Sequence, residues 1–382
     1  MIGEKLLTDF LLALSMAFGY SSNIPAQTRA EAPILASEQK ESEPADCLEG
    51  IKPLEAYIVS KTSEQETADQ KPKYATLDKK VELYAILKAK VGREKVYFTD
   101  APKIKIGGKT IKPKSIKRMS GCRDIKVEWF KLEPTKGNYA YVRDTNPIDY
   151  KETSFSKDPA VEADVHPTIL RDQFKEIPQG VGVMHYRLII KTENGAFATS
   201  GVESRQLGGL SDRVHRISYR PNTRSWVDFT FELFETPYVF ASLRTQVDSQ
   251  IGSDCADLVV YAKRREEQEE KGKPRTEYTF STGLRSKTRT TLVTRVDSKD
   301  HEHLIDEKGN PIYFGKVKEG DIVYYPPIKG IGHTAILYSD SGIKGYLDCA
   351  DLIIQTLAHE PEITFLCESY YGIPQEIMRW KK

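Results

Sequence analysis

Cys255 lies in Ser253-Asp-Cys-Ala-Asp-Leu258, at the head of a run to Arg265 whose apolar residues recur at helical spacing. Ser253 or Asp254 can cap such a helix, and Asp257 puts a carboxylate in its first turn. Leu258, Tyr261 and Ala262 then share one face, while Lys263, Arg264 and Arg265 approach the C-terminal end. A cysteine at a helix start meets outward-pointing N–H groups and a positive dipole, which favour thiolate over thiol, and the thiolate is the nucleophile. A base follows downstream. His333 stands at the start of the strand-like run Gly332-His-Thr-Ala-Ile-Leu-Tyr338, where its ring can project from a rigid scaffold. Cys255 and His333 are therefore expected to be the working pair of a cysteine hydrolase.

Other candidates carry less chemistry. Asp348-Cys-Ala-Asp-Leu352 repeats the pentad around Cys255, but Cys349 precedes a β-like run with only His359 downstream, so it reads as a buried, inert cysteine. Asp300-His-Glu-His303 resembles a metal pair, yet it lies in a polar stretch without companion ligands and reads as a solvated loop; no metal or cofactor is expected. His185 alternates with apolar neighbours and reads as a core residue.

The elements that must hold the pair are mixed in type. Residues 1–32 read as a signal peptide, with Lys5, an apolar stretch from Leu6 to Phe18 interrupted by Asp9, and small residues up to Ala32. Residues 33–52 are polar and read as a linker. Short β-branched or aromatic runs between 53 and 150 predict a sandwich or barrel: Val81-Glu-Leu-Tyr-Ala-Ile-Leu87, Lys95 to Phe98, Ile104 to Ile106, Ile125 to Phe130 and Tyr139 to Val142. Residues 151–225 read as a second β-rich module or an elaboration, with a helix over 167–174, a hairpin across Glu193-Asn-Gly195 and an exposed, charged edge strand over 213–220. Trp226 to Phe234 reads as a helix packing toward the site. A polar insertion over 266–310 is expected to cover or border the cleft.

Composition sets outer limits. A chain of 382 residues, 39% hydrophobic, is ample for two or three domains with cores of their own. Its 56 basic and 55 acidic residues leave a net charge of +1, so no nucleic-acid partner is expected. Beyond the N-terminus no segment approaches the roughly 20 apolar residues of a membrane span. Cys47, Cys122, Cys255, Cys349 and Cys367 are an odd set without regular spacing, so a disulfide framework is not expected, with room for one bridge.

From Trp226 onward four pieces follow one another: Pro237-Tyr238, Asp254-Cys255, Gly320-Asp321 and His333 before Ala335 to Leu337. In that order they resemble the NlpC-type cell-wall cysteine peptidases, a papain-like family. Ala241-Ser242 stands where the family has paired glycines, and Ala256-Asp257 where it has Ser-Gly. The resemblance implies an α+β catalytic domain over 226–382, a Cys-bearing helix packed on an antiparallel sheet. It implies a third residue that orients the imidazole, here Gln355 with His359 as the alternative, and substrate contacts from Tyr238 and Asp254. It further implies peptide-bond cleavage in peptidoglycan stem peptides, outside the cell or in its envelope. A catalytically altered binding protein, or another papain-like amidase or acyl-transfer enzyme, fits the same residues.

Overall fold

The computed structural model describes residues 45–139, 146–169, 178–223, 225–299, 302–328 and 331–381. The expected signal peptide and most of the linker lie outside these residues, as do much of the helix expected over 167–174 and the end of the strand expected over 139–142.

Alternating apolar residues in Lys52–Thr62 and Val81–Val91 pair these strands antiparallel, with Ile58 opposite Ala85 and Ser60 opposite Leu83. Glu94–Phe98 extends the same sheet. A second sheet runs Tyr150–Ser156, Lys126–Pro134, Gly182–Thr192, His215–Arg220, Lys73–Thr76. Leu83, Leu87 and Phe98 of the first sheet meet Trp129, Met184, Leu188 and Ile190 of the second in one apolar core. The hairpin at Glu193-Asn194 forms as the sequence suggests, Gly182–Thr192 against Gly195–Ala198.

No boundary falls near 150. Gly182–Thr192 hydrogen-bonds to Lys126–Pro134, and His215–Arg220 lies parallel to Lys73–Thr76, so residues 151–225 complete the sheets begun before them. Nor is His215–Arg220 an exposed edge: every residue in it is buried. Its charges are satisfied internally. Arg216 Nε donates to Gln250 Oε1 at 3.1 Å, and Arg220 Nη2 donates to Glu269 at 2.7 Å. The linker, too, is tied down at its end, because Cys47 is bonded to Cys122.

The C-terminal part centres on one seven-stranded sheet, in the order Leu304–Asp306, Thr290–Lys299, Glu376–Trp380, Ile322–Ile328, Ile331–Ser339, Leu352–Gln355, Glu362–Phe365. Cys255–Lys271 is a 17-residue helix, and its Leu258, Val259 and Tyr261 join Ile322, Tyr324, Ile336 and Ile354 in a core with Phe231 and Leu233. The stretch Trp226–Leu233 is a 3-10 helix, capped by Ser225, rather than an α-helix. None of the described residues of the polar 266–310 stretch lines the cleft. They finish the helix and supply two strands of this sheet, with Leu284 and Leu304 fully buried.

The α+β, papain-like class expected for 226–382 is therefore corrected. The chain is mostly β, with 43% strand against 12% helix, and its sheets curve into half-barrels. Strand was underestimated because the charged 266–310 segment conceals its strands among Lys, Arg and Glu, whose local polarity mimics a solvated loop. Among the described residues no helix is long and apolar enough to cross a membrane.

Candidate active site

Asp254 rather than Ser253 is the N-cap of the cysteine helix. Its Oδ1 accepts from the N–H groups of Ala256 at 3.0 Å and Asp257 at 3.1 Å. Asp257 Oδ2 accepts in return from Asp254 N at 3.1 Å and from the Ser242 hydroxyl. The cap leaves the N–H of Cys255, the first helical residue, outside it. Ser253 bonds instead to the Pro237-Tyr238-Val239 segment: Ser253 N donates to Pro237 O at 3.2 Å and Val239 N donates to Ser253 O at 3.0 Å. That pairing sets Tyr238 beside the cysteine. Ala241 holds φ +55°, a left-handed conformation that glycine adopts with less strain.

His333 is the third residue of its strand, Ile331–Ser339, with a ring fully buried between two tyrosines. Tyr371 stacks on it at 5.3 Å and 13°, and Tyr325 lies 5.4 Å away on the tilt. The next strand contributes Gln355, whose Oε1 is 2.8 Å from His333 Nε2. A carbonyl oxygen only accepts, so Nε2 carries the ring proton and Nδ1 the lone pair. Nδ1 is buried and has no hydrogen-bond partner. Gln355 Nε2 in turn donates to Glu362 Oε1 at 2.8 Å.

One cavity of about 620 Å³ unites these pieces. Cys255, His333, Gln355, Tyr238 and His359 all line it, with Phe240, Glu362, Tyr370 and Tyr371 among the other walls. Asp254 does not line it; its carboxylate is occupied as the helix cap. Between the two candidates for the third position the geometry favours Gln355, which bonds the imidazole. His359 is another residue of the cavity wall.

Four of the five cysteines are paired, Cys47 with Cys122 and Cys349 with Cys367, against the expectation of no disulfide framework. Cys255 is the free thiol. The ionisation expected for it is also corrected. Burial, then the Asp254 charge, push the thiol up to about 12, and the neighbouring Thr334 opposes this only in part. Burial likewise lowers His333 to about 4, against a smaller opposing effect of the Gln355 bond. Near neutral pH the resting pair is thus a thiol and a neutral imidazole. The half-exposed helix start supplies less stabilisation to a thiolate than the apolar walls remove.

Gly320-Asp321 turns out to hold the scaffold together. Asp321 is fully buried and takes a bidentate bond from Arg379 at 2.6 and 2.7 Å, which pins the C-terminal strand. A Cβ on Gly320, at φ +85°, would lie 2.7 Å from Trp226 Nε1. Residues that sequence reasoning missed are Glu362 and Tyr371. Neither has a local signature, since each reaches the site through strand register and a loop that follows it; the spacing of Glu362 from Gln355 was the one available hint of a hairpin pair.

No protein-family model, curated protein or solved structure matches the chain. The NlpC resemblance rests on its four short motifs.

Proposed function

We propose that this chain is a cysteine hydrolase that cleaves amide bonds, with Cys255 as nucleophile, His333 as base and Gln355 as the residue that orients the imidazole. The observation that carries the reading is the shared cavity, whose walls include both the one free thiol and a histidine with a buried, unpartnered Nδ1. In the reaction, Sγ attacks the carbonyl carbon while Nδ1 takes the thiol proton. The same proton then passes to the departing amine, leaving a thioester that water hydrolyses with His333 again as base. The Cys255 N–H outside the helix cap is the candidate donor to the oxyanion. Because thiol and imidazole are both neutral at rest, proton transfer accompanies attack rather than preceding it.

Peptidoglycan stem peptides are the proposed substrate, on the strength of the NlpC-type motifs. A secreted or envelope location fits both the apolar N-terminal stretch and the two disulfides, which persist in oxidising compartments. A second reading, a binding protein on an altered site, draws on the thiol being pushed up to about 12. Digestion of purified sacculi separates the two. Wild type is expected to release soluble muropeptides and Cys255→Ala to release none; equal release by both proteins rules out Cys255 as nucleophile, and no release by either favours the binding reading.

A further inference from the structure

An amide side chain can meet an imidazole in two ways, which a half-turn of its carboxamide exchanges. With Oε1 toward Nε2, the ring proton sits on Nε2 and Nδ1 is a base. With the NH2 group toward Nε2, that nitrogen must accept, the proton moves to Nδ1, and the ring cannot take a proton from Cys255. Gln355 by itself does not choose between them. Its neighbour across the hairpin does: Glu362 lies opposite Gln355 in the strand register and accepts from Gln355 Nε2 at 2.8 Å. A carboxylate has nothing to donate, so the NH2 group must face Glu362 and the oxygen must face His333. Both side chains are buried, with Gln355 4% and Glu362 5% exposed, so each meets its partner in a low-dielectric setting that strengthens the bond.

We propose that Glu362 is a positioning residue that locks the Gln355 amide in the orientation putting the His333 proton on Nε2 and leaving Nδ1 free as the base. The effect on rate rests on the hydrolase reading; the tautomer does not. Around Glu362 stand Gln355, His359, Glu360 and Glu368, and the carboxyl lies above the ordinary range, chiefly through burial. Once protonated it could donate as well as accept, so the lock loosens as pH falls.

Two substitutions test this, read by nitrogen-15 NMR of the His333 ring in the full chain. Glu362→Gln can accept or donate, so both tautomers are expected to appear, with kcat reduced a few-fold at unchanged KM. Glu362→Lys can only donate and sits beside the charges of Glu360 and Glu368. It turns the amide round and moves the proton to Nδ1, with a loss of about 10²-fold in kcat, the low end of what general-base catalysis contributes. In a Gln355→Ala background Glu362→Gln is expected to add nothing, because the two act as a unit. Thermal melts identify a variant that fails to fold, and Glu362→Gln then carries the test alone. A wild-type tautomer in Glu362→Gln, or a full additive loss in the Gln355→Ala background, overturns the proposal. Inactivity of the wild type on sacculi leaves the NMR result standing, so failure of the lock and failure of the hydrolase reading are told apart.

Discussion

Tyr371 covers one face of His333 and is itself only half-buried, so it is the wall between the imidazole and solvent. Burial is what lowers His333 to about 4, and removing part of that wall should return it toward the ordinary histidine value of about 6.5. Tyr371→Ala is therefore expected to raise the His333 titration midpoint by a unit or more. An NMR titration of the ring checks it, and an unchanged midpoint would place the desolvation on Tyr325 instead. The sign extends to the cysteine: a ring that charges more readily stabilises a thiolate. Alkylation of Cys255 at pH 6 should then run faster in the variant than in wild type, where a thiol pushed up to about 12 makes alkylation climb with pH without a plateau below pH 9. Labelling is unambiguous because the other four cysteines are paired.

Elements owe their positions to devices that recur. The pentad Asp-Cys-Ala-Asp-Leu occurs twice, and both copies form the same reciprocal carboxylate turn. Asp257 Oδ2 accepts from Asp254 N as Asp351 Oδ2 accepts from Asp348 N, and each leading Asp accepts from the Ala N–H two residues on. One copy continues as a helix, the other as the strand Leu352–Gln355; two β-branched residues follow each, and what differs is the neighbouring strands that pair with the second. Cys349 and Cys367 join the two ends of the hairpin that carries Gln355 and Glu362, across 18 residues. Loop closure of that length is worth about 3 kcal/mol in the chain-entropy account. The pair Cys349→Ser with Cys367→Ser is expected to lose roughly that stability in denaturant unfolding and to lower activity, since Tyr371 lies just beyond Cys367. Stability within about 0.5 kcal/mol of wild type would mean that the hairpin holds by strand pairing alone.

Across the whole molecule, the front sheets and the cysteine helix are joined at Glu232. This carboxylate is fully buried and takes hydrogen bonds from Arg265 Nε at 2.7 Å and the Tyr261 hydroxyl at 2.9 Å, while Arg220 Nε lies 3.3 Å away as an ion pair. Arg220 belongs to the front sheet, Tyr261 and Arg265 to the helix, so one acid ties both. Glu232→Ala leaves two arginines facing an emptied, apolar site, and a cost of about 3–5 kcal/mol is expected. Chemical denaturation followed by tryptophan fluorescence and by circular dichroism measures it. A cost below 1 kcal/mol would show that apolar packing alone holds the two parts together. The β-rich front is thus built into the base of the site's scaffold, and residues 43–382 form one unit.

Cys255 at a helix start, His333 at a strand start and the hairpin at Glu193-Asn194 were legible because each is written in adjacent residues: a cap, a turn dipeptide, a run of one periodicity. Most front strands were legible for the same reason. The charged strand over 290–299 was not, nor was the burial of the strand over 213–220, since their side chains find partners far off in sequence and local polarity then mimics exposure. Nor was the state of the thiol, which the helix start pulls one way and the enclosing walls the other. Local chemistry determined which groups could react. Only tertiary packing decided which of them share a cavity, which way the Gln355 amide points and which cysteine stays free, because each of those depends on neighbours that the chain brings together by strand register rather than by sequence.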